Sequence, residues 1–206
     1  MSKREAALEA FLGLVAEKGF AAVTLRGVAE AGGLKLADLY RLYPDKAALI
    51  VSFIARIDTE VLAGTPAEGD PEETARDRLF DVMMRRYDAL KAQRPAWREI
   101  RKAMMRDPVL ALRLAPAVHR SMGAMLEAAG IPSEGAAGAL RQSGLAAIHF
   151  DISRTFESDE SGDLSKTMAA LDGRLKSAEK WSQLFDKYIN SSPRPNRKRT
   201  SETRTA

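Results

Sequence analysis

Two short apolar stripes at helical spacing meet at Gly32-Gly33 and stop at Tyr43-Pro44-Asp45-Lys46, and this stretch of residues 24–50 constrains the fold more than any other. Thr24 offers the hydroxyl of a helix N-cap, and Leu25, Val28 and Ala29 follow on one face before the glycine pair breaks the helix. A second short helix has Leu34 and Leu39 as buried anchors, leaving Lys35, Leu36, Ala37, Asp38 and Tyr40 outward or partly outward. Pro44 biases Tyr43 toward extended backbone, and Asp45 caps a further helix. Leu8, Phe11, Leu12 and Val15 before this unit, and Leu49, Phe53, Ile57 and Val61 after it, recur at helical spacing. The pattern predicts a helix-turn-helix module between two amphipathic helices.

The remainder also reads as helix. Residues 63–71, AGTPAEGDP, form a linker without apolar period, after which Asp70 caps and Pro71 begins a helix with the stripe Leu79, Phe80, Met83, Met84, Tyr87 and Leu90, ended by Pro95. Trp97, Ile100 and Met104 mark a short helix. Asp107-Pro108 opens another, whose stripe Val118, Met122, Met125 and Ala129 stops at Gly130 and Pro132. From about 133 to 157 the apolar positions are mostly small, and after a polar break at 158–162 a long stripe runs from Leu164 through Trp181 and Phe185 to Tyr188. The expectation is an all-α chain of about nine helices. A three-helix domain spans 1–50 with a connecting helix to about 62, a larger helical domain spans 63–190, and a disordered basic tail spans 191–206.

Charge is concentrated at one end. The tail holds Arg194, Arg197, Lys198, Arg199 and Arg204 against Glu202, a surplus equal to the whole chain's net charge of +4. Residues 1–50 carry seven basic side chains (Lys3, Arg4, Lys18, Arg26, Lys35, Arg41, Lys46) against six acidic ones (Glu5, Glu9, Glu17, Glu30, Asp38, Asp45). That is a weak electrostatic footprint for a polyanion partner.

Thr24, Val28-Ala29-Glu30, Gly33, Leu39-Tyr40-Arg41, Tyr43-Pro44, Lys46 and Leu49 resemble, without a gap, the N-terminal domain of TetR-family repressors. The resemblance implies a DNA operator as partner, with Thr24, Arg26, Tyr40 and Lys46 where the family touches phosphates, Lys35, Leu36, Ala37 and Asp38 where it reads bases, and Arg41 also among the DNA-binding residues. The family usually has a small hydroxyl residue at Lys35, a basic or polar one at Leu36, glycine or a similar small residue at Ala37 and a hydroxyl at Asp38. Leu36 offers no hydrogen bond to a base edge, whereas Asp38 can accept one from a cytosine amino group.

The same resemblance implies a larger domain that dimerises and takes a small apolar effector, whose binding shifts the connecting helix and the spacing of the two reading heads. Met83, Tyr87, Trp97, Met104, Met122 and Met125 are the candidate pocket residues, flexible thioethers suiting an adaptable apolar cavity or, equally, an irregular core. Arg85, Arg86 and Arg101 lie in the same region and read as solvated side chains rather than as partners of an acidic head group. Leu140, Gly144, Ala147, Leu164, Met168, Leu171 and Leu175 are the candidate homodimer contacts, on the last two helices.

Chemistry for catalysis is scarce. His119 and His149 are the only histidines, cysteine is absent, and no paired carboxylates or phosphate loop occur, so no catalytic residue, metal or cofactor is expected. No run of about 20 apolar residues is present, and the charged start, MSKREAALEA, is unlike a secretory signal, so a cytoplasmic location is expected. A second reading comes from TetR-fold lipid-binding proteins of ubiquinone biosynthesis, which the amphipathic, basic C-terminal end also resembles. In that reading the chain works at a membrane surface and the helix-turn-helix is vestigial.

Overall fold

A computed structural model of the protein describes residues 2–66 and 72–190, with side chains as far as residue 180. Among the described residues there are nine α-helices and no strand. They are α1 (Lys3–Lys18), α2 (Leu25–Ala31), α3 (Leu36–Leu42), α4 (Lys46–Ala63), α5 (Ala75–Lys91), α6 (Arg94–Arg106), α7 (Pro108–Ala128), α8 (Gly135–Ser158) and α9 (Ser165–Asn190), with a single 3-10 turn at Phe20–Ala22.

Local caps set most of these boundaries. Ser2 and Glu5 exchange hydrogen bonds across the start of α1, and Asp45 accepts the Ala48 amide at 2.9 Å at the start of α4. Asp107 accepts the amides of Val109 and Leu110 ahead of Pro108 in α7. The helix expected at Asp70-Pro71 begins instead at Ala75, because the Thr74 hydroxyl takes the Asp77 amide at 3.2 Å. Asp70 and Pro71 lie outside the described residues. Pro95 does not end α5, which stops at Lys91. It sits in the first turn of α6, where a missing N–H costs nothing.

Phe11, Leu12, Val28, Leu39, Leu49 and Phe53 close the core of α1 to α4, and fully burying such a side chain contributes about 1.5–3 kcal/mol. The apolar face of α4 continues through Ile57 and Val61 into the body, where α4 packs on α5 and α7. The body core holds Met83, Tyr87, Leu90, Ile100, Met122, Met125 and Phe156.

Two polar nodes lie inside this body. Arg86 of α5, only 3% exposed, donates to Asp58 of α4 at 2.5 Å, and Ser121 of α7 donates to the same oxygen at 2.6 Å. Arg101 of α6 makes a two-pronged pair with Glu157 of α8, its second nitrogen 2.6 Å from Oε2. The expectation of solvated arginines at 86 and 101 is thus corrected: each finds a carboxylate more than 25 positions away in sequence, which desolvates both. Arg85 remains partly exposed and bonds Thr65 at 3.1 Å.

The polar stretch before α9 is built on one buried capping carboxylate. The Asp159 carboxylate accepts from the Thr167 amide at 2.8 Å and hydroxyl at 2.7 Å, and from Ser161. Burial alone raises its pKa, but these hydrogen bonds outweigh it and hold the carboxyl well below the usual carboxylate range. Leu164, in the same turn, adopts a left-handed backbone with φ 58°, a conformation that costs a β-carbon-bearing residue about 1–2 kcal/mol and is offset by complete burial of its side chain.

Candidate nucleic-acid interface and effector region

The turn between α2 and α3 needs glycine at its second position. Gly33 has φ 64°, and the Leu34 amide reaches back to the Ala29 carbonyl at 2.8 Å, closing the end of α2. Leu34 and Leu36 pack partly against the core and Leu39 is fully buried, so α3 is held by one face. Its other face presents Lys35, Ala37, Tyr40 and Arg41 to solvent, with Tyr40 53% exposed.

Around that face stand the flanking residues. The Thr24 hydroxyl accepts the Gly27 amide at 3.1 Å, which leaves its own hydrogen able to donate to a phosphate. Arg26 is exposed on α2. Lys46 at the start of α4 donates to the Phe20 carbonyl at 2.8 Å and lies 4.2 Å from the centre of the Phe20 ring. Desolvation there lowers its pKa, and two of its three N–H donors remain beyond the Phe20 contact. Lys46 therefore has a structural role in tying α4 to the 3-10 turn, besides any contact with a polyanion.

Asp38 does not project as an isolated acid. Lys3 of α1 donates to it at 3.2 Å and Arg41 stands at 3.4 Å. The hydrogen bond and charge of Lys3 hold its carboxyl below the ordinary value. Lys3 thus joins the candidate interface, and no local signal could have found it, since the pair spans 35 positions. The head is also tied to the body: Arg113 of α7 pairs with Asp45, the residue that caps α4.

In the body, the candidate pocket residues do not behave alike. Met83, Tyr87, Met122 and Met125 are fully buried and Trp97 is nearly so. Met104 is partly exposed, and Met105, also within the methionine-rich stretch, is turned to solvent with its sulfur 3.1 Å from Arg101. A run of rings crosses the interior, with centroid separations of 5.2 Å for Phe156–Tyr87, 5.6 Å for Tyr87–His149 and 5.6 Å for His149–Trp97. The Tyr87 hydroxyl lies 3.0 Å from His149 Nδ1. His119, by contrast, is near the surface beside Ser143 and the Ala139 carbonyl. Among the described residues no group of three or more His, Asp or Glu side chains could hold a metal ion.

The candidate dimer residues divide into two sets. Leu164, Leu171 and Leu175 are buried within the single chain and hold α9 on α5 and α8, so they are not available to a second copy. Correction is needed for these three: their stripe is consumed by the chain's own core. Leu140, 72% exposed, and Met168, 40% exposed, face outward, as do Gly144 and Ala147. A shallow groove between α8 and α9 is lined by small residues, Ala169, Gly173 and Ser177 among them, with Asp151, Thr155 and Arg174 at its sides. A β-carbon added at Gly144 or Gly173 would meet nothing within 4 Å. Trp181, Phe185 and Tyr188 fall outside the described side chains, and residues 191–206 outside the described structure. No described helix is long and apolar enough to cross a membrane.

No protein-family model matches the chain. Among known proteins, the repressor KstR of Rhodococcus jostii, an HTH-type transcriptional repressor, is 29% identical over 108 residues, which is 52% of this chain and 43% of KstR, so the chain spans less than half of that relative. Among solved structures, a TetR transcriptional regulator from Nitrosomonas europaea superposes with a TM-score of 0.69 at 23% identity, covering 85% of this chain and 97% of the other. A TetR regulator from Rhodococcus sp. RHA1 gives 0.58 at 24% identity over 84% and 94%, and GusR of Salmonella enterica 0.55 at 23% identity over 84% and 95%. The nine described helices in this order, the glycine turn between α2 and α3, and these superpositions give the chain the fold of the TetR-family transcriptional regulators.

Proposed function

We propose that the chain is a homodimeric, DNA-binding transcriptional regulator, a repressor released by a small apolar effector, working in the cytoplasm without catalytic activity. The observation that carries this reading is the outward face of α3, where Lys35, Ala37, Tyr40 and Arg41 stand exposed between Thr24 and Lys46 at the starts of the flanking helices. Phosphate contacts from Thr24, Arg26, Tyr40, Arg41 and Lys46 position the head, and residues 35–38 read bases. Leu36 meets a thymine methyl, and Asp38 accepts from a cytosine amino group once Lys3 yields. The similarity to KstR, a repressor by name, supports the sign of regulation.

The dimer in this reading uses the exposed small-residue faces of α8 and α9, with Leu140, Gly144, Ala147 and Met168 at the contact. The effector occupies the region of Met83, Tyr87, Trp97, Met104, Met122 and Met125. A change there reaches α4 through Asp58, bonded by Arg86 and Ser121, and through Asp45, bonded by Arg113. Tilting α4 alters the separation of two heads that must match half-sites ~34–36 Å apart.

Selection of bound fragments from random DNA, followed by a salt titration, tests the reading. A preferred half-site repeated about one helical turn apart is expected, with Tyr40→Phe and Arg26→Ala weakening all sequences alike and Asp38→Thr changing the preferred bases. Binding no tighter to any fragment than to bulk DNA at low salt refutes it.

A further inference from the structure

The interior of the body holds two ring nitrogens without a partner. His149 Nε2 and Trp97 Nε1 are both buried and neither has a hydrogen-bond partner, although their rings are neighbours at 5.6 Å. Leaving a buried polar group unsatisfied costs about 1–3 kcal/mol, so two in one place call for an explanation.

Their chemistry follows from Tyr87. Its hydroxyl has one hydrogen and lies 3.0 Å from His149 Nδ1 and 3.4 Å from the His149 carbonyl. That carbonyl already accepts from the Ser153 hydroxyl at 2.8 Å. We assign the single hydroxyl hydrogen to the shorter and less contested contact, which makes Nδ1 the acceptor and puts the ring proton on Nε2. Burial, with the charge of Arg86 second, holds His149 far below its usual pKa, so the ring is neutral and Nε2–H is a simple donor. The indole nitrogen of Trp97 is a donor by constitution. With that assignment the interior contains two neutral N–H donors, from α6 and α8, beside the fully buried Tyr87 and Phe156 rings, and no acceptor for either.

We propose that Trp97 Nε1–H and His149 Nε2–H form the polar end of the effector site and recognise a hydrogen-bond-accepting oxygen, such as a carbonyl, on an otherwise apolar molecule. The inference rests on reading the helical body as an effector domain, and adds the class of effector. A cation or a donor-only group finds nothing to bond at either nitrogen, whereas a pure hydrocarbon leaves both unsatisfied. Tyr87 is a positioning residue: it fixes the tautomer that turns Nε2 into a donor.

The chain has only two tryptophans, so the indole N–H signals of the ¹⁵N-labelled full chain are two, and Trp97→Phe identifies one of them. The probes are two matched pairs, acetophenone with ethylbenzene and 2-heptanone with heptane, titrated while those signals are followed. Each ketone should bind more tightly than its hydrocarbon and move the Trp97 indole proton downfield, which the hydrocarbons should not do. Trp97→Phe and His149→Phe should each reduce ketone affinity by about threefold to tenfold, the range of one neutral hydrogen bond, with hydrocarbon affinity retained. Hydrocarbons bound as well as ketones overturn the donor pair and leave the apolar effector reading standing. No binding by any probe overturns both. A Trp97 proton already downfield and unmoved by ketone identifies a retained buried water as the partner and also overturns the proposal. The wild-type signal carries the decision even if one variant fails to fold.

Discussion

Replacing Asp58 with alanine removes the acceptor shared by Arg86 and Ser121 and should destabilise the protein severely. Arg86 is 3% exposed and Asp58 17%, and Arg86 Nε is already without a partner, so the guanidinium would be left inside with no compensating charge. Breaking a buried pair by removing one partner costs about 3–5 kcal/mol. The partial exposure of Asp58 points to the low end, about 3 kcal/mol, or roughly 6–12 °C in Tm for a chain of this length. Urea unfolding at pH 7 measures this, at one fixed protomer concentration because association shifts apparent stability. Asp58→Asn keeps an oxygen for Ser121 and should cost less. The double variant Asp58→Leu with Arg86→Met removes both charges and should recover most of the loss, since apolar replacement of a buried pair is often neutral. A cost under about 1 kcal/mol for Asp58→Ala, the range of solvated pairs, would refute the reasoning, as would a double variant no more stable than the single one.

Gly144→Glu should shift the protein toward monomer in sedimentation, because an isologous contact meets the charge twice; an unchanged dimer would move the interface elsewhere. Asp159→Asn should cost about 1–3 kcal/mol at pH 7 by weakening the bonds from Thr167 and Ser161. Since the folded carboxyl is held below its unfolded value, that difference is present above the ordinary carboxylate range and is lost as pH falls through the folded pKa, which acid unfolding of both proteins would measure. Lys3→Ala should free Asp38 and sharpen its effect on base preference while weakening overall binding, seen as a changed selected motif. Met125→Ala should cost about 2–5 kcal/mol in thermal unfolding if its buried side chain fills a packed core, and less with altered ketone affinity if it walls a cavity.

The helices were legible because their signals are local. Thr24, Asp45 and Asp107 cap the residues next to them, and the apolar stripes recur every three or four positions. What escaped depends on distant partners. Nothing near Arg101 announces Glu157, and nothing near Asp38 announces Lys3, so an arginine destined for the interior and an acid destined for neutralisation look like surface residues. The stripe Leu164, Leu171 and Leu175 shows that a helix has an apolar face without saying whether its own chain or a second copy covers it. The α5 start escaped for a different reason, since Asp70-Pro71 and Thr74 are rival N-terminal signals a few residues apart.

Pro116 lies inside α7, between Arg113, which grips the start of α4 at Asp45, and Ser121, which grips Asp58 thirteen positions further along α4. Two rods fastened at two points move as one beam when both are stiff. A proline contributes no N–H to its helix and crowds the preceding turn, so α7 has its lowest bending stiffness between the two fastenings. In the proposed regulator the near end of α4 would swing with the first turns of α7 while the far end, roughly 20 Å away, stays seated on Arg86 and Ser121. Mechanically, α4 in that proposal is a lever with a seated fulcrum and a compliant linkage at the end that carries α2 and α3.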